Sequence, residues 1–537
     1  MRPPKPKNIS TKILSAKTKN IGNIALLKPV LDGVGIAKII DSYAPMEREG
    51  NHLTNGQAIE VLVMNRLTSP TPLVHTERWA ERYALEETCG ISPDEVNDDR
   101  LGRALDSIYP EIENIEADVA LKIMSKYRIK PELIHFDSTS LYFEGAYEES
   151  EVLKLGYSRD QKPDKKQVNI ELDVDAKEGM LLFHTPHDGN MVDPKMALLN
   201  LEKIKKRLNV QKMIMVGDRN SIDSEVAILL ATDYHLDFIG AVKMTEKTKE
   251  LVRSVSDSEF NPISLEGANE GDYLAVDEKI VKFTHGGREL EARAIIVLSK
   301  KKQESDRKRR KEALENIGSE LDKIKRKVDR KKGIYSKNIE FVKKSIQSVF
   351  EKRERNKRHS HLFEIRLKEE SDSERKFVSF SYSVKSGDEI EQRKLDGKYM
   401  IATTLPKEEW SADRVVNGYR SRYIAESRIR NMKNEIAVRP IFLHDDKRIV
   451  SLVFASILAL MVYSLLEILA RRSGIMTVWG KNKNPVTARQ LFFAFQTIML
   501  VKIVMKDGSN IKTVEDLAPV QKYVLEKLGF DPPQSYA

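Results

Sequence analysis

The spacing of apolar residues changes several times along the chain, and each spacing predicts a different element. In residues 1–130, apolar positions recur at helical spacing, as in NGQAIEVLVMNRL, and predict a mainly helical domain. Short apolar runs then follow at 133–136, 166–174 and 180–185. Runs of this length, rich in β-branched and aromatic residues, predict three neighbouring strands.

The next residues alternate between the two periods. Helical spacing over Pro194–Leu208 is followed by a buried-strand pattern at 212–217, a helix at 221–232 and a strand at 236–242. The resulting order, β-β-β-α-β-α-β, matches the opening of the RNase H-like fold. We therefore predict an α/β protein with an RNase H-like mixed sheet flanked by helices.

A charged segment interrupts this pattern and predicts a large insertion. Between Lys300 and Lys332, apolar residues recur at 3-4-3-4 spacing and indicate one helix with a single apolar seam, formed by Leu314, Ile317, Leu321, Ile324 and Val328. Three strand-like runs follow between 363 and 404. The basic residues of this helix either contact DNA or form a solvated face.

These patterns divide the chain into five predicted regions. They are a helical N-terminal domain (1–130), a first part of the RNase H-like core (131–245), an insertion with a charged helix and strands (246–410), a second part of the core (411–475) and a C-terminal helical region (476–537).

The amino-acid composition limits the classes of protein to which this chain can belong. The 90 Lys and Arg against 81 Asp and Glu give a net charge of +9, which fits a polyanionic partner and is also ordinary for a soluble enzyme. Cys89 is the only cysteine, which excludes an intrachain disulfide and Cys-rich zinc sites. The basic N-terminus lacks the apolar core of a secretory signal, so we expect a cytoplasmic protein. Ile449–Leu466 is apolar enough for a membrane span, but its three serines favour a buried core helix.

Two acidic residues directly follow apolar strand-like runs. Asp137 follows LIHF, and Asp218 follows MIMVG. Adjacent strands of a mixed sheet would deliver both carboxylates to one edge.

A third acid lies in the segment 412–436, which we predict to be one helix. At about 100° per residue, one face carries Tyr419, Arg422, Glu426, Arg430 and Lys433. The opposite face carries the apolar residues Ala425, Ile429, Met432 and Ile436. Such a polar face is either a solvent face supported by ion pairs or part of a site, and the two preceding aspartates favour a site.

Taken together, these residues resemble the DDE transposases of bacterial insertion sequences. The spacing of Tyr419, Arg422, Glu426 and Lys433 fits the Y-(2)-R-(3)-E-(6)-K signature of one such group. FDSTS (136–140) and VGDRN (216–220) resemble the motifs of the first two acids, although Asn220 replaces the usual glycine. Further similarity lies in VNDDRLGRALD, GYSRDQKPDKKQ and HDGNMVDP, so the resemblance extends over nearly the whole chain.

The resemblance implies DNA binding by the helical N-terminal domain (1–130) and catalysis by the core (131–245 and 411–475). Asp137, Asp218 and Glu426 would hold two Mg²⁺ or Mn²⁺ ions, with Asp137 as the bridging ligand. The residues Tyr419, Arg422, Arg430 and Lys433 would contact DNA. The implied partners are double-stranded DNA, as terminal inverted repeats and target, and a second copy of the chain in the DNA complex. The implied location is the bacterial cytoplasm.

Two other functions stay open at this stage. One is a transposase-derived DNA-binding protein without activity, and the other is an RNase H-like nuclease without strand transfer. The histidines lack the close spacing of a zinc site. We expect His135 and His184 to be packed core residues and His187 to lie behind the site.

Overall fold

The structure is a computed structural model. It describes residues 13–46, 53–144, 147–191, 195–196, 199–200, 213–371, 376–438, 443–476 and 485–536. The chain forms two compact units, the first comprising 1–222, 232–236 and 420–537 and the second 223–231 and 237–419. Most of the predicted helix Pro194–Leu208, and the basic residues 1–12, lie outside the described residues.

The first unit contains most of the helices. They are α1 (Ile24–Val34), α2 (Ile36–Tyr43), α3 (Asn55–Thr68), α4 (Thr76–Arg82), α5 (Leu85–Cys89), α6 (Asp98–Ile108), α7 (Ile112–Tyr127), α16 (Tyr423–Asn434), α17 (Asp446–Arg472), α18 (Ala488–Phe495) and α19 (Pro519–Leu528). Local sequence fixes several helix starts. Thr54 and Gln57 form a capping box at α3, and the Asn97 side chain accepts a hydrogen bond from the backbone of Arg100 at α6.

The central sheet of the first unit has the strand order β4-β3-β2-β5. Its strands are β2 (Leu133–Tyr142), β3 (Gln167–Asp175), β4 (Leu181–Asp188) and β5 (Ile214–Gly217). β2 pairs antiparallel with β3, β3 antiparallel with β4, and β2 parallel with β5. The sheet is therefore mixed, which confirms the predicted α/β class.

A second sheet of this unit joins distant parts of the sequence. Its order is β1-β13-β14, with bounds β1 (Ile13–Asn20), β13 (Met499–Met505) and β14 (Asn510–Val514). These strands lie in regions that the sequence predicts to be helical. The prediction of helices is therefore wrong for these strands. β1 pairs with β13, which lies near the other end of the described chain, and local periodicity contains no information about such a distant partner.

Helix α17 contains the long apolar stretch. By length and composition it is the one helix in the described ranges that could span a membrane, and 94% of its most apolar window is buried. It packs against α3, α6, α16 and β4 of the same unit. Ser456 and Ser464 donate hydrogen bonds to the carbonyls of Leu452 and Leu460, which satisfies their hydroxyls in the core. These contacts support the prediction of a core helix.

The second unit contains an antiparallel sheet in the order β6-β12-β9-β8-β7. Its strands are β6 (Asp237–Ala241), β7 (Asn261–Pro262), β8 (Tyr273–His285), β9 (Arg288–Ser299) and β12 (Lys398–Thr403), with a separate hairpin of β10 (Phe363–Ser371) and β11 (Lys376–Val384). Its helices are α8 (Ser224–Thr232), α9 (Glu246–Arg253), α10 (Lys300–Asp329), α11 (Ile334–Lys337), α12 (Ile339–Glu351), α13 (Glu354–His359), α14 (Ser386–Arg393) and α15 (Ala412–Arg420). The seam of α10 packs as predicted, with Ile317, Leu321, Ile324 and Val328 buried.

The predicted single helix over 412–436 is wrong in one respect. The structure has two helices, α15 and α16, separated by a turn at Ser421 and Arg422. The Ser421 hydroxyl hydrogen-bonds to Nε2 of the buried His135 at 2.8 Å, and the backbone N–H of Ile424 donates to the Ser421 carbonyl. A tertiary hydrogen bond therefore holds the turn.

Candidate active site

Asp137 and Asp218 are positioned by the parallel pairing of two strands. Leu133, Ile134 and His135 lie opposite Ile214, Met215 and Val216. Extending this register by two residues brings Asp218 level with Asp137. Gly217 and Phe136, which precede the two aspartates, also lie close to each other. A Cβ atom added to Gly217 would lie only 2.7 Å from Cζ of Phe136. Glycine at this position therefore allows the end of β5 to approach β2 closely. Asp218 follows its strand as predicted, but Asp137 lies within β2, because the pairing of β2 with β3 continues to Tyr142.

Backbone donors orient both aspartates. Oδ1 of Asp218 accepts hydrogen bonds from the backbone N–H of Asn220 at 2.7 Å, the backbone N–H of Ser221 at 2.9 Å and the Ser221 hydroxyl at 3.1 Å. Oδ1 of Asp137 accepts from the N–H of Ser138 at 3.0 Å. The backbone of Asn220 thus stabilises the turn after Asp218. The turn forms although asparagine replaces the glycine that is usual at this position.

Glu426 lies on α16, which packs against β2 and β3. The inner face of α16 includes the buried residues Ala425 and Met432, while Ile429 is half-buried. Arg428 is buried as well, and its Nη1 pairs with Glu467 Oε2 of α17 at 2.6 Å. Its Nε also donates to the carbonyl of Gly179 at 2.7 Å. These contacts fix α16 while the Glu426 side chain remains exposed.

The three acids interact electrostatically. The pKa of Asp137 is raised from 3.8 to about 6, first by burial and then by the negative charges of Asp218 and Glu426. The positive charge of Arg422 opposes this increase. Asp218 and Glu426 thus both act electrostatically on the carboxyl group of Asp137. That the three acids share metal ions stays a prediction.

Arg422 supplies positive charge to this acidic group. Its Nη2 lies 3.6 Å from Oε1 of Glu426, and its charge also acts on Asp137 and His135. Burial, together with Arg422, lowers the pKa of His135 to about 3. His135 is therefore neutral at physiological pH, and its hydrogen bond to Ser421 anchors the turn that precedes α16.

The donor set fits a hard divalent cation. Carboxylate oxygens are the ligands that Mg²⁺ and Mn²⁺ favour, and a bound cation would stabilise the charged form of the buried Asp137. Within the described ranges, no group of three His, Cys, Asp or Glu side chains is close enough to hold a metal ion. The carboxylates of Asp137, Asp218 and Glu426 would therefore have to come closer together for all three to share ions.

The other predicted site residues have different environments. Arg430 is exposed on α16. Lys433 is mostly buried, and its Nζ lies 2.8 Å from Oδ1 of Asp160. Tyr419 belongs to α15 in the second unit.

A loop that the sequence analysis assigned no role lies beside Asp137. Arg159 donates from Nη2 to the Ser138 hydroxyl at 2.8 Å and from its backbone N–H to the Ser140 hydroxyl at 3.1 Å. The next residue, Asp160, pairs with Lys433. The motif GYSRDQKPDKKQ contains this loop, so the resemblance already signalled it.

Two further histidines are buried in the first unit. Nδ1 of His184 lies 2.6 Å from Oε1 of Glu116, and the His184 ring stacks on Phe454. This confirms the expected packed core residue. Nε2 of His187 lies 3.4 Å from Oε2 of the buried Glu171.

Comparisons with known proteins add two similarities. Residues 16–120 match a family model described as "Domain of unknown function (DUF4277)". No curated protein matches the chain. Among solved structures, the chain is similar to a piggyBac transposase in a synaptic complex with hairpin DNA, at 13% identity and a TM-score of 0.27. The match covers 52% of this chain and 61% of the piggyBac chain, so this chain spans less than two thirds of that protein.

Proposed function

We propose that this chain is a DDE-type DNA transposase, which cleaves DNA at transposon ends and joins the ends to target DNA. The observation that supports this most directly is that Asp137 lies on β2 of the mixed sheet, where burial raises its pKa and the negative charges of Asp218 and Glu426 raise it further. Asp137 lies within β2, Asp218 follows the neighbouring strand β5 and Glu426 lies on the later helix α16, and this order supports the proposal of an RNase H-like transposase core.

Asp137, Asp218 and Glu426 would hold the divalent cations. Two such ions, when bound, activate the attacking oxygen and relieve charge on the phosphoryl group. The chain's own residues do the remaining work. The backbone donors at Asn220 and Ser221 fix Asp218, and the buried ion pair of Arg428 fixes the helix that carries Glu426.

The basic residues near the acids would bind the DNA backbone. Arg422 lies within reach of Glu426, and the exposed Arg430 lies one turn further along α16. A guanidinium pairs well with a phosphate in two-point hydrogen bonding. Lys433 and Tyr419 complete the proposed DNA-binding set, and a homodimer would hold two transposon ends.

Cleavage of the gene's own flanking repeats tests the proposal. The purified chain is incubated in Mg²⁺ or Mn²⁺ with a fragment carrying the inverted repeats that flank the gene. We expect nicking at the repeat ends, lost in Asp137→Asn, Asp218→Asn and Glu426→Gln and retained in the control Glu435→Gln. DNA binding should persist in all four variants.

Each other outcome has a distinct meaning. If the three acid variants cleave like the parent, the proposed site is wrong. Tight binding to the repeats without cleavage or joining indicates a DNA-binding derivative that lacks activity. Cleavage without joining of precut ends to a target plasmid indicates a nuclease.

A further inference from the structure

The second unit contains a region of concentrated positive charge. Residues 300–359 hold 23 Lys and Arg against 10 Asp and Glu, a net charge of +13, whereas the whole chain has 90 against 81, or +9. The remaining residues therefore carry a net charge of −4. This asymmetry means that the excess positive charge of the protein belongs to α10, α11, α12 and α13.

Some of these cations take part in ordinary ion pairs on the protein surface. Lys302, Lys323 and Lys325 each lie within 2.8 Å of an acid three or four residues away on α10. Such pairs stabilise a solvated helix face and need no ligand. These pairs account for only part of the positive charge in this region.

Cations from three elements converge on two of the acids. Glu320 of α10 pairs with Lys323 of the same helix and lies 3.9 Å from Lys352, at the end of α12. The Lys323 hydrogen bond and the charges of Lys352 and Arg353 lower the pKa of Glu320. Glu312 pairs with Arg355 of α13 at 3.3 Å. We call this surface the α10–α13 basic patch, and its cations are Lys323, Lys352, Arg353, Arg355, Lys357 and Arg358.

The patch retains a positive excess after these contacts. Lys323, Lys352 and Arg355 lie within 4 Å of Glu312 or Glu320. With Glu351 and Glu354 of the same stretch also counted, the six cations exceed four acids by two. In the described chain, Lys357 and Arg358 are exposed and form no ion pair. Like charges held together in this way repel one another unless an anion lies over them.

The patch also stands on a rigid base. Ile317 and Leu321 of α10 pack with Val342, Ile346 and Val349 of α12 in one buried cluster.

We propose that the α10–α13 basic patch binds the phosphate backbone of duplex DNA without reading its sequence. The supporting observations are the concentration of charge, the convergence of cations from three elements and the packed cluster beneath them. This binding is separate from the proposed chemistry at Asp137, and it would add affinity for DNA outside the repeat ends.

Two variants with the same change in net charge test the proposal in the full chain. The patch variant carries Lys352→Gln, Arg353→Gln, Lys357→Gln and Arg358→Gln. The control carries Lys249→Gln, Lys282→Gln, Lys385→Gln and Lys394→Gln, four lysines of the same unit that each pair with an acid outside the patch. Circular dichroism and thermal melting establish that both variants fold.

Affinity for a 30-base-pair duplex of arbitrary sequence is measured by fluorescence anisotropy over a salt series, in EDTA so that no cleavage occurs. Each phosphate contact contributes about 0.9 to the slope of log affinity against log salt. We expect the patch variant to lose about tenfold or more in affinity at low salt and to show a shallower slope by up to roughly 3–4. The control should stay within about twofold of the parent.

Equal losses in both variants, or no loss in the patch variant, would overturn the proposal. A second measurement does not depend on substitutions. Excess duplex should protect Lys323, Lys352 and Lys357 of the parent from acetylation, while Lys282 and Lys394 remain reactive. Unprotected patch lysines at saturating DNA would also overturn it. Neither the affinity measurement nor the acetylation measurement requires cleavage. The basic patch and the transposase function can therefore be rejected independently of each other.

Discussion

Arg428 of α16 and Glu467 of α17 form a buried ion pair, with Nη1 and Oε2 2.6 Å apart and both side chains less than 5% exposed. Oε1 of Glu467 also accepts a hydrogen bond from the backbone of Ala488, and Oε2 lies 3.0 Å from Arg471. The pair therefore connects the helix that carries Glu426 to the central apolar helix.

Removing Arg428 should destabilise the fold. Arg428→Met leaves the buried Glu467 with the half-exposed Arg471 as its remaining cation, and we expect a loss of about 3 kcal/mol in the free energy of unfolding. Arg430→Met, on the exposed face of the same helix, is the control and should change it by less than about 0.5 kcal/mol. Urea denaturation measures both. Similar values for the two variants would contradict the role assigned to Arg428.

The pKa of Asp137 predicts how stability changes with pH. Because folding raises this pKa from 3.8 to about 6, the folded state binds the proton more tightly, and stability falls as pH rises through that window. Asp137→Asn should therefore stabilise the metal-free protein above pH 6, by at most about 3 kcal/mol, and have little effect below pH 4. Denaturation across pH 4–8 measures this difference, and a constant difference would disprove the linkage.

Divalent cations should offset the destabilisation that the charged Asp137 carboxylate causes above pH 6. If the acids hold Mg²⁺ or Mn²⁺, added metal stabilises the parent in proportion to its binding. We expect a concentration-dependent increase in melting temperature for the parent and none for Asp137→Asn. The exposed substitution Glu426→Gln should reduce the increase. Equal shifts in all three proteins would show that the metal binds elsewhere.

The ion pair between Lys433 and Asp160 predicts opposite effects of two substitutions on DNA binding. In the parent, Asp160 offsets the charge that Lys433 would offer to a phosphate. Asp160→Asn should therefore raise affinity for the repeat DNA and steepen its salt dependence by at most about 0.9, and Lys433→Met should lower the affinity. Asp164→Asn, on an exposed residue of the same loop, is the control. Affinity that does not change in Asp160→Asn would remove Lys433 from the DNA-binding set.

His135 should not titrate near neutral pH. Burial and Arg422 lower its pKa to about 3. Because the unfolded value is near 6.5, this group contributes stability that is present above pH 6.5 and is lost as pH falls toward 3. NMR spectra of the histidine rings over pH 5–8 should show a constant His135 signal. His285, which is exposed, is the comparison.

The sequence predicted those features that depend on local periodicity. The strands that lead to Asp137 and Asp218 and the buried seam of α10 lie where alternating or helical spacing indicated. Asp218 directly follows β5, as its position after an apolar run predicted. Asp137 instead lies within β2, because this strand continues through polar residues that pair with β3, and local hydrophobicity does not indicate that pairing.

Features that depend on distant partners could not be predicted in this way. The turn at Ser421 depends on a hydrogen bond to His135, 286 residues away. The burial of Arg428 depends on Glu467, and the helical spacing that places Arg428 on α16 carries no information about that partner. The roles of Arg159 and Asp160 follow from contacts with Ser138 and Lys433, which no local pattern contains.

The pairing of β1 with β13 affects the order in which the protein folds. Beside it, the Asn20 side chain donates to the carbonyl of Gln496, 476 residues later in the chain. At about 5–20 residues per second of synthesis, β1 would leave the ribosome long before its partner exists, by roughly 25 to 95 seconds. During that time an unpaired strand edge is open to other chains, so we expect newly made protein to depend on chaperones until the last strands have been translated.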